Sequence, residues 1–302
     1  MAAKRTIVYV MSDKRAGSTL LENILSKSDE TVSVGELNLL KNHIFRQGAG
    51  FRWDWNCSCG KPIMECVFWS KILADIDINA PEFNTKIQWN FKSNSTLAGS
   101  VLTSVFKTMV QKVDKRKINK DTINTLYTIY HKIFDFTGKN FIIDSSKTPM
   151  QAYILYLHKP ADIDVKIVRL KRDLRAIAVS KRKWNTLNNK DLNKSLNWLL
   201  RNSFLYNRIC NQVLKLVDEK DKLLISYEEL ATSTQAQLDK VTRKTGLKSY
   251  TAPEYMHVED DHTIAGTPQR FTKKPIRYDN SWEETYSKKP VLSLVGKIMN
   301  KL

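Results

Sequence analysis

Apolar runs of strand length alternate with stretches whose apolar residues recur every three or four positions. The run TIVYVM at 6–11 predicts a strand, the polar stretch 12–17 a loop, and the periodic stretch 18–27 a helix. VSVGE at 32–36 predicts a second short strand, whereas 37–69, rich in Gly, Trp and Cys, reads as irregular. From about 81 to 139 the pattern turns helical, with Leu97, Val101, Val105, Met109 and Val113 at four-residue spacing. NFIIDSS and DVKIVRL then predict two buried strands, each followed by a helix, at 149–158 and from near Asp173. A further helix is expected over 191–217, and KLLISYEEL reads as a strand running into a helix over 227–244. Turn signals at Gly246, Pro253, AGTP (265–268) and Pro275 make the last fifty residues a tail wrapping the sheet. Strands alternating with helices argue for an α/β fold with a mostly parallel central sheet. One domain over 1–302 with a mainly helical insertion at about 81–139 is the expected organisation.

Composition narrows this only in part. With 302 residues, 42% of them hydrophobic, the chain can bury a sizeable core. No apolar run approaches the roughly 20 residues needed to cross a bilayer, and the MAAKR start leads into an apolar run too short for a secretory leader. A cytoplasmic protein is therefore expected. The net charge of +18 favours anionic ligands and surfaces but names none, and lysine is abundant along the whole chain, so compositional bias accounts for it equally well.

The first loop, SDKRAGSTLL, carries the first chemical signal. N–H groups at a helix N-terminus are unpaired and partly positive, so a glycine-containing strand-to-helix turn binds phosphate or sulfate readily. Gly17 allows close backbone approach, Ser18 and Thr19 can cap the helix and donate hydroxyls, and Lys14 and Arg15 supply charge. The bare GST is equally what an ordinary capped helix contains. An ATP-binding loop needs G-x-x-x-x-G-K-[ST]. Here Ser18 follows the glycine directly and the lysine is missing, which disfavours NTPase chemistry.

A second basic stretch, VRLKRDLRAIAVSKRKW, places Arg172 at the end of a buried strand and Ser180 eight residues on. Eight residues turn a helix by about 80° beyond two full turns, so both can address one side of the strand–helix junction. Such a charge run is commonly a solvated helix face. Two anion cradles on one sheet edge, however, suit a nucleoside bearing phosphate groups at both ends.

Taken together, RAGSTLL followed by GEL, IIDSSKTP, VKIVRLKRDLRAIAVS and ISYEEL resembles the sulfotransferase superfamily that uses 3′-phosphoadenosine 5′-phosphosulfate, PAPS. The likeness is to bacterial and carbohydrate- or tyrosylprotein-type members and spans the chain, since CSCGKPIMECVFW and GTPQRF also resemble segments of bacterial members. It implies a P-loop-like three-layer sandwich and no need for a metal. Lys14, Arg15, Ala16, Gly17, Ser18 and Thr19 would hold the 5′-phosphosulfate, and Arg172 and Ser180 the 3′-phosphate, with Arg270 near the 3′-phosphate or adenine. Glu36 would be the general base, and Lys147 with Arg15 would stabilise the transferring group, helped by Ser145 and Ser146. Asp144 would orient Lys147 or cap the turn, and Trp184 and Trp282 would flank adenine or acceptor unless they are simply buried. Two departures stand out: Ala16 where a hydroxyl is common, and Leu174 where proline is common.

Cys57, Cys59 and Cys66 cluster in sequence, and His43 or Cys210 could add a fourth zinc ligand, but the usual C-x₂-C pairs are missing. A disulfide from Cys66 and plain packing are the other readings; the site assignment includes no metal. The expected activity is sulfuryl transfer from PAPS to a hydroxyl, or less readily an amine, of a small-molecule, carbohydrate or peptide acceptor. A divergent kinase and a basic nucleic-acid-binding protein are the competing readings, and no RRM, KH or zinc-finger pattern supports the latter.

Overall fold

The computed structural model describes residues 4–47, 55–89, 103–190, 192–256, 261–266 and 273–302. Strand β1 (Arg5–Ser12) sits at the centre of a five-stranded parallel sheet. Its neighbours are β3 (Phe141–Lys147) on one side and β4 (Ile163–Lys171) on the other, with β2 (Thr31–Gly35) and β5 (Lys222–Ser226) at the edges, in the order β2-β3-β1-β4-β5. The apolar run of β1 is continuous because both faces are covered. Ile7, Tyr9 and Met11 enter one apolar cluster, while Val8 and Val10 enter another on the opposite face.

Helix α1 (Ser18–Leu25) packs Leu20, Leu21, Ile24 and Leu25 on the second face with α9 (Tyr227–Thr232) and α10 (Thr234–Thr245). The first face receives the short helices α2 (Leu40–Ile44) and α3 (Val67–Leu73), then α4 (Thr103–Asp114), α5 (Lys117–Thr137) and α6 (Pro149–Leu157). Residues 37–69 are thus less irregular than their composition suggests. Within the 81–139 stretch, helix is described from Thr103; residues 81–89 are turns, bends and irregular chain, and 90–102, with Leu97 and Val101, lie outside the described residues. Phe106, Val110 and Val113 of α4 join the same cluster as β1, so these helices share the main core rather than forming a separate one.

Helix α7 (Leu174–Leu187) follows β4 and pairs with α8 (Leu196–Leu216). The expected single helix over 227–244 is two, broken at Ser233. The tail holds a two-stranded pair, β6 (Tyr255–Met256) with β7 (Lys274–Pro275), and two helices, α11 (Glu283–Ser287) and α12 (Pro290–Lys301), the second unexpected from sequence. Trp282, Tyr286, Leu292 and Met299 bury against α7 and α8 as a third cluster.

Candidate active site

Parallel α/β sheets place ligand sites beyond the carboxyl ends of their strands. Here five chain segments leave that edge: the loop after Ser12, Glu36 after β2, Lys147 closing β3, Arg172 after β4 and Tyr227 after β5. Sheet register is disturbed at the same edge, where the β1–β3 pairing shifts between Tyr9 and Met11 and the β2–β3 pairing between Ser33 and Gly35. Such shifts re-aim side chains.

The loop is tight. Gly17 has φ 100° and forms the N-cap of α1; a Cβ there would lie 2.5 Å from Cδ2 of Tyr227, so the position demands glycine both conformationally and sterically. Ser18 and Thr19 therefore stand in the first turn rather than capping it. Arg15 is also left-handed, with φ 71°. Its Nε donates to Ser180 Oγ at 3.1 Å, and Arg172 Nη1 donates to the Arg15 carbonyl at 3.1 Å. The two anion signals thus converge on Arg15. Burial, and then the Arg172 guanidinium, lower the Arg15 pKa, the mark of crowded cations that an anion would relieve. Desolvation and the ammonium groups of Lys147, Lys86 and Lys181 lower Lys14 as well, with Glu36 pulling the other way.

Arg172 lies over the Tyr227 ring, its guanidinium carbon 4.2 Å from the ring centroid, and Nη2 reaches Asp279 Oδ2 at 3.2 Å. Its buried Nε has no hydrogen-bond partner among the described residues, and neither has the buried Ser12 Oγ at the entrance to the loop. Unsatisfied buried donors on the loop and on the Arg172 side chain that reaches it fit an anion-binding group. Ala16 is fully buried, so the common hydroxyl is replaced by packing. Leu174 has an N–H that proline lacks, and it donates that N–H to Asn300 Oδ1 of α12 at 2.9 Å. Asp173, not residue 174, sets the helix start by accepting from Arg175 N.

The other half of the edge holds reactive groups. Lys147, at φ 70°, turns its ammonium onto Glu36 Oε1 in an ion pair whose side chains are 11% and 14% exposed. Asn38 N donates to Ser146 Oγ at 3.0 Å, tying the turn after β2 to β3. Ser145 Oγ donates to Glu22 Oε2 at 2.6 Å. Burial raises the Glu22 pKa against hydrogen bonds from Ser145 and Ser33, and Glu22 is not among the predicted site residues because a carboxylate inside α1 reads as a surface residue. Asp144 accepts from Tyr130 Oη at 2.5 Å and from Ser146 N at 2.8 Å, so it fixes the turn rather than touching Lys147; burial pushes its pKa up to about 6.

The tail closes one side of this edge. Ile264 N donates to Val34 O at 3.0 Å and Glu36 N donates to Ile264 O at 2.8 Å, so residue 264 pairs with the end of β2. Thr19 and Glu22 line a small crevice roofed by Asp261, Thr263, Ala265 and Gly266. Arg270 lies outside the described residues. Trp282 is 6% exposed in the third cluster beneath Arg175, which removes it as an adenine-stacking candidate; Trp184 lies on α7 with Lys190 over its ring. His43 and Cys210 are buried elsewhere, and His262 is the residue that joins Cys57, Cys59 and Cys66. None of the four cysteines is in a disulfide. No described helix is long and apolar enough to cross a membrane.

No protein-family model and no curated protein matches the chain. Solved structures do. The sulfotransferase domain from the Synechococcus PCC 7002 olefin synthase superposes with a TM-score of 0.57 at 18% identity, over 95% of this chain and 89% of that one. The sulfotransferase domain from the curacin biosynthetic pathway gives 0.48 at 15% identity over 94% and 90%, and a sulfotransferase from Alicyclobacillus acidocaldarius 0.42 at 12% over 89% and 89%. At such identities the first of these is a likeness of architecture, and the chain has the fold of a sulfotransferase domain.

Proposed function

We propose that the protein is a PAPS-dependent sulfotransferase acting on a hydroxyl. The observation that carries this reading is the convergence of Arg172, Ser180 and the loop on Arg15, with unsatisfied buried donors at Ser12 and Arg172. Two linked cradles suit a nucleotide with separate 5′ and 3′ anionic groups better than they suit ATP, whose loop lysine is missing here. The fold likeness supports the same reading.

Bound PAPS would supply an activated sulfuryl group and a bridging oxygen able to leave with the electron pair. Ser18, Thr19 and the first-turn N–H groups of α1 are the donors for its 5′ end, and Arg172 and Ser180 those for its 3′-phosphate. Glu36 is suited to take the acceptor proton, and its pairing with Lys147 holds the carboxylate toward the edge while placing a cation beside the loop. The acceptor class is a small molecule, carbohydrate or peptide.

Calorimetric titration of 3′-phosphoadenosine 5′-phosphate against AMP tests the assignment. Charge-assisted hydrogen bonds are worth about 1.5–3 kcal/mol, so Arg172→Ala should weaken the bisphosphate about 10- to 100-fold and leave AMP nearly unaffected. Equal affinity of the wild type for the two nucleotides would sink the two-cradle reading.

A further inference from the structure

Cys57, Cys59 and Cys66 lie on one segment and His262 in the tail, 196 residues beyond Cys66, yet one ligand atom from each falls within 4.8 Å of all the others. A tetrahedral zinc ion with Zn–S of about 2.3 Å and Zn–N of about 2.0–2.1 Å sets its ligand atoms about 3.8 Å apart for two sulfurs and about 3.6 Å for sulfur and nitrogen. The observed separations are 3.6 Å for Cys57 and Cys66 Sγ, 3.7 Å for Cys57 Sγ to His262 Nδ1 and 3.2 Å for Cys66 Sγ to His262 Nδ1. From these contacts we infer that Cys57, Cys59, Cys66 and His262 form a structural zinc site that pins the tail to the segment after β2. Three thiolates and an imidazole in tetrahedral reach select zinc over the hard, oxygen-preferring cations.

The surroundings are built for a fixed ligand set. Cys57 starts a tight turn: its N–H donates to Lys61 O at 2.9 Å, its carbonyl accepts from Gly60 N at 2.9 Å, and Gly60 takes φ 84°. That turn brings Cys59 back toward Cys57, which explains why the C-x-C spacing works without a C-x₂-C pair. His262 is held from two sides. Trp69 Nε1 donates to its carbonyl at 2.7 Å, and the Phe68 ring stacks on the imidazole at 5.3 Å with an interplanar angle of 4°. Groups that orient a ligating histidine are a regular part of such sites. On either side of His262, Ser58 Oγ bonds the Asp261 carbonyl and accepts from Thr263 N.

Two residues after His262, Ile264 accepts from the Glu36 N–H. The metal site therefore anchors the strand-like segment that positions the turn bearing Glu36. It is structural rather than catalytic: four protein ligands leave no open coordination position. The assignment stands on ligand geometry and does not depend on the sulfuryl-transfer reading.

The test uses the full chain, purified under reducing conditions without a metal-affinity tag, and measures zinc by plasma mass spectrometry. One zinc per chain is expected, and cobalt added to chelated protein should give the visible bands of tetrahedral cobalt with thiolate charge transfer. Cys59 is exposed, so Cys59→Ser should fold. Loss of a direct ligand should exceed the roughly 10- to 100-fold affinity loss typical of outer-shell changes and empty the site. Chelation should lower the thermal midpoint of the wild type but not of Cys59→Ser. A reduced protein that holds no zinc and gives no tetrahedral cobalt spectrum would overturn the site, as would a Cys57–Cys66 disulfide in protein expressed with ample zinc. Neither result would touch nucleotide binding by Arg172 and Ser180, which is measured separately.

Discussion

The two halves of the sheet's carboxyl edge handle charge in opposite ways. Beyond β1 and β4, Arg15, Arg172 and Lys14 gather with fewer neutralising partners among the described residues: Arg172 pairs with the half-exposed Asp279, Arg15 meets a serine hydroxyl, and Asp13 of the same loop is paired with Lys181. Beyond β2 and β3, the charges are internally balanced, Lys147 by Glu36, Asp144 by a tyrosine hydroxyl and a backbone N–H, and Glu22 by two serines. A cluster of like charges at a buried edge is unfavourable until an anion arrives, whereas a balanced cluster is stable alone and can hold reactive groups in place. Under the proposed function, this difference suits one half to anion binding and the other to proton transfer.

The sharpest way to break that division is Glu36→Gln. The amide keeps the size of the side chain and a hydrogen-bond acceptor for Lys147 but cannot take a proton. Turnover should fall about 10²- to 10⁴-fold, the usual weight of a general base, while affinity for 3′-phosphoadenosine 5′-phosphate stays near wild type. Parallel losses in both measurements would show that the halves are not separate.

Gly17→Ala probes the binding half from the inside. Both the positive φ and the approach of Tyr227 oppose a Cβ, so the variant should be destabilised by about 1–3 kcal/mol in denaturant titrations. The nucleotide should bind more weakly as well, because Tyr227 also carries Arg172. An alanine variant as stable as the wild type would mean that the loop does not hold this conformation.

What could be read from the sequence follows the same line. Strand β1, its loop and α1 were legible almost to the residue, because apolar periodicity and a glycine turn are local signals. The placement of Arg172 and Ser180 on one side of a strand–helix junction is legible for the same reason, since they stand eight positions apart. Illegible were the partners set by tertiary contact: Tyr227 beneath Arg172, Asn300 on the N–H of Leu174, Ile264 on β2 and His262 with the cysteines. Helix α12 is not predicted from sequence because Gly296 weakens its helix signal; a Cβ at that position would lie 2.5 Å from the Arg175 stem, so packing overrides propensity. Pro290 also reads as a breaker, yet stands in the first turn, where proline is tolerated.

The smallest expected effect is the most discriminating about the binding half. Asp279 is the one carboxylate paired with Arg172 among the described residues, and it is 52% exposed. Burial opposes its ionisation, but hydrogen bonds from Ser281 and the Arg172 charge outweigh this and hold its pKa below the ordinary aspartate value. If its carboxylate occupies the guanidinium until a phosphate arrives, Asp279→Asn removes a competitor while the Asp279 carbonyl remains 3.4 Å from Arg172 Nη2. Exposed ion pairs are worth about 0.2–1 kcal/mol, so the bisphosphate should bind up to about fivefold more tightly, with AMP unchanged. The opposite outcome, weaker binding, would make Asp279 a group that aims Arg172 at its anion. The cation-rich half would then be complete only with a carboxylate inside it, and the contrast with the balanced half would be one of degree.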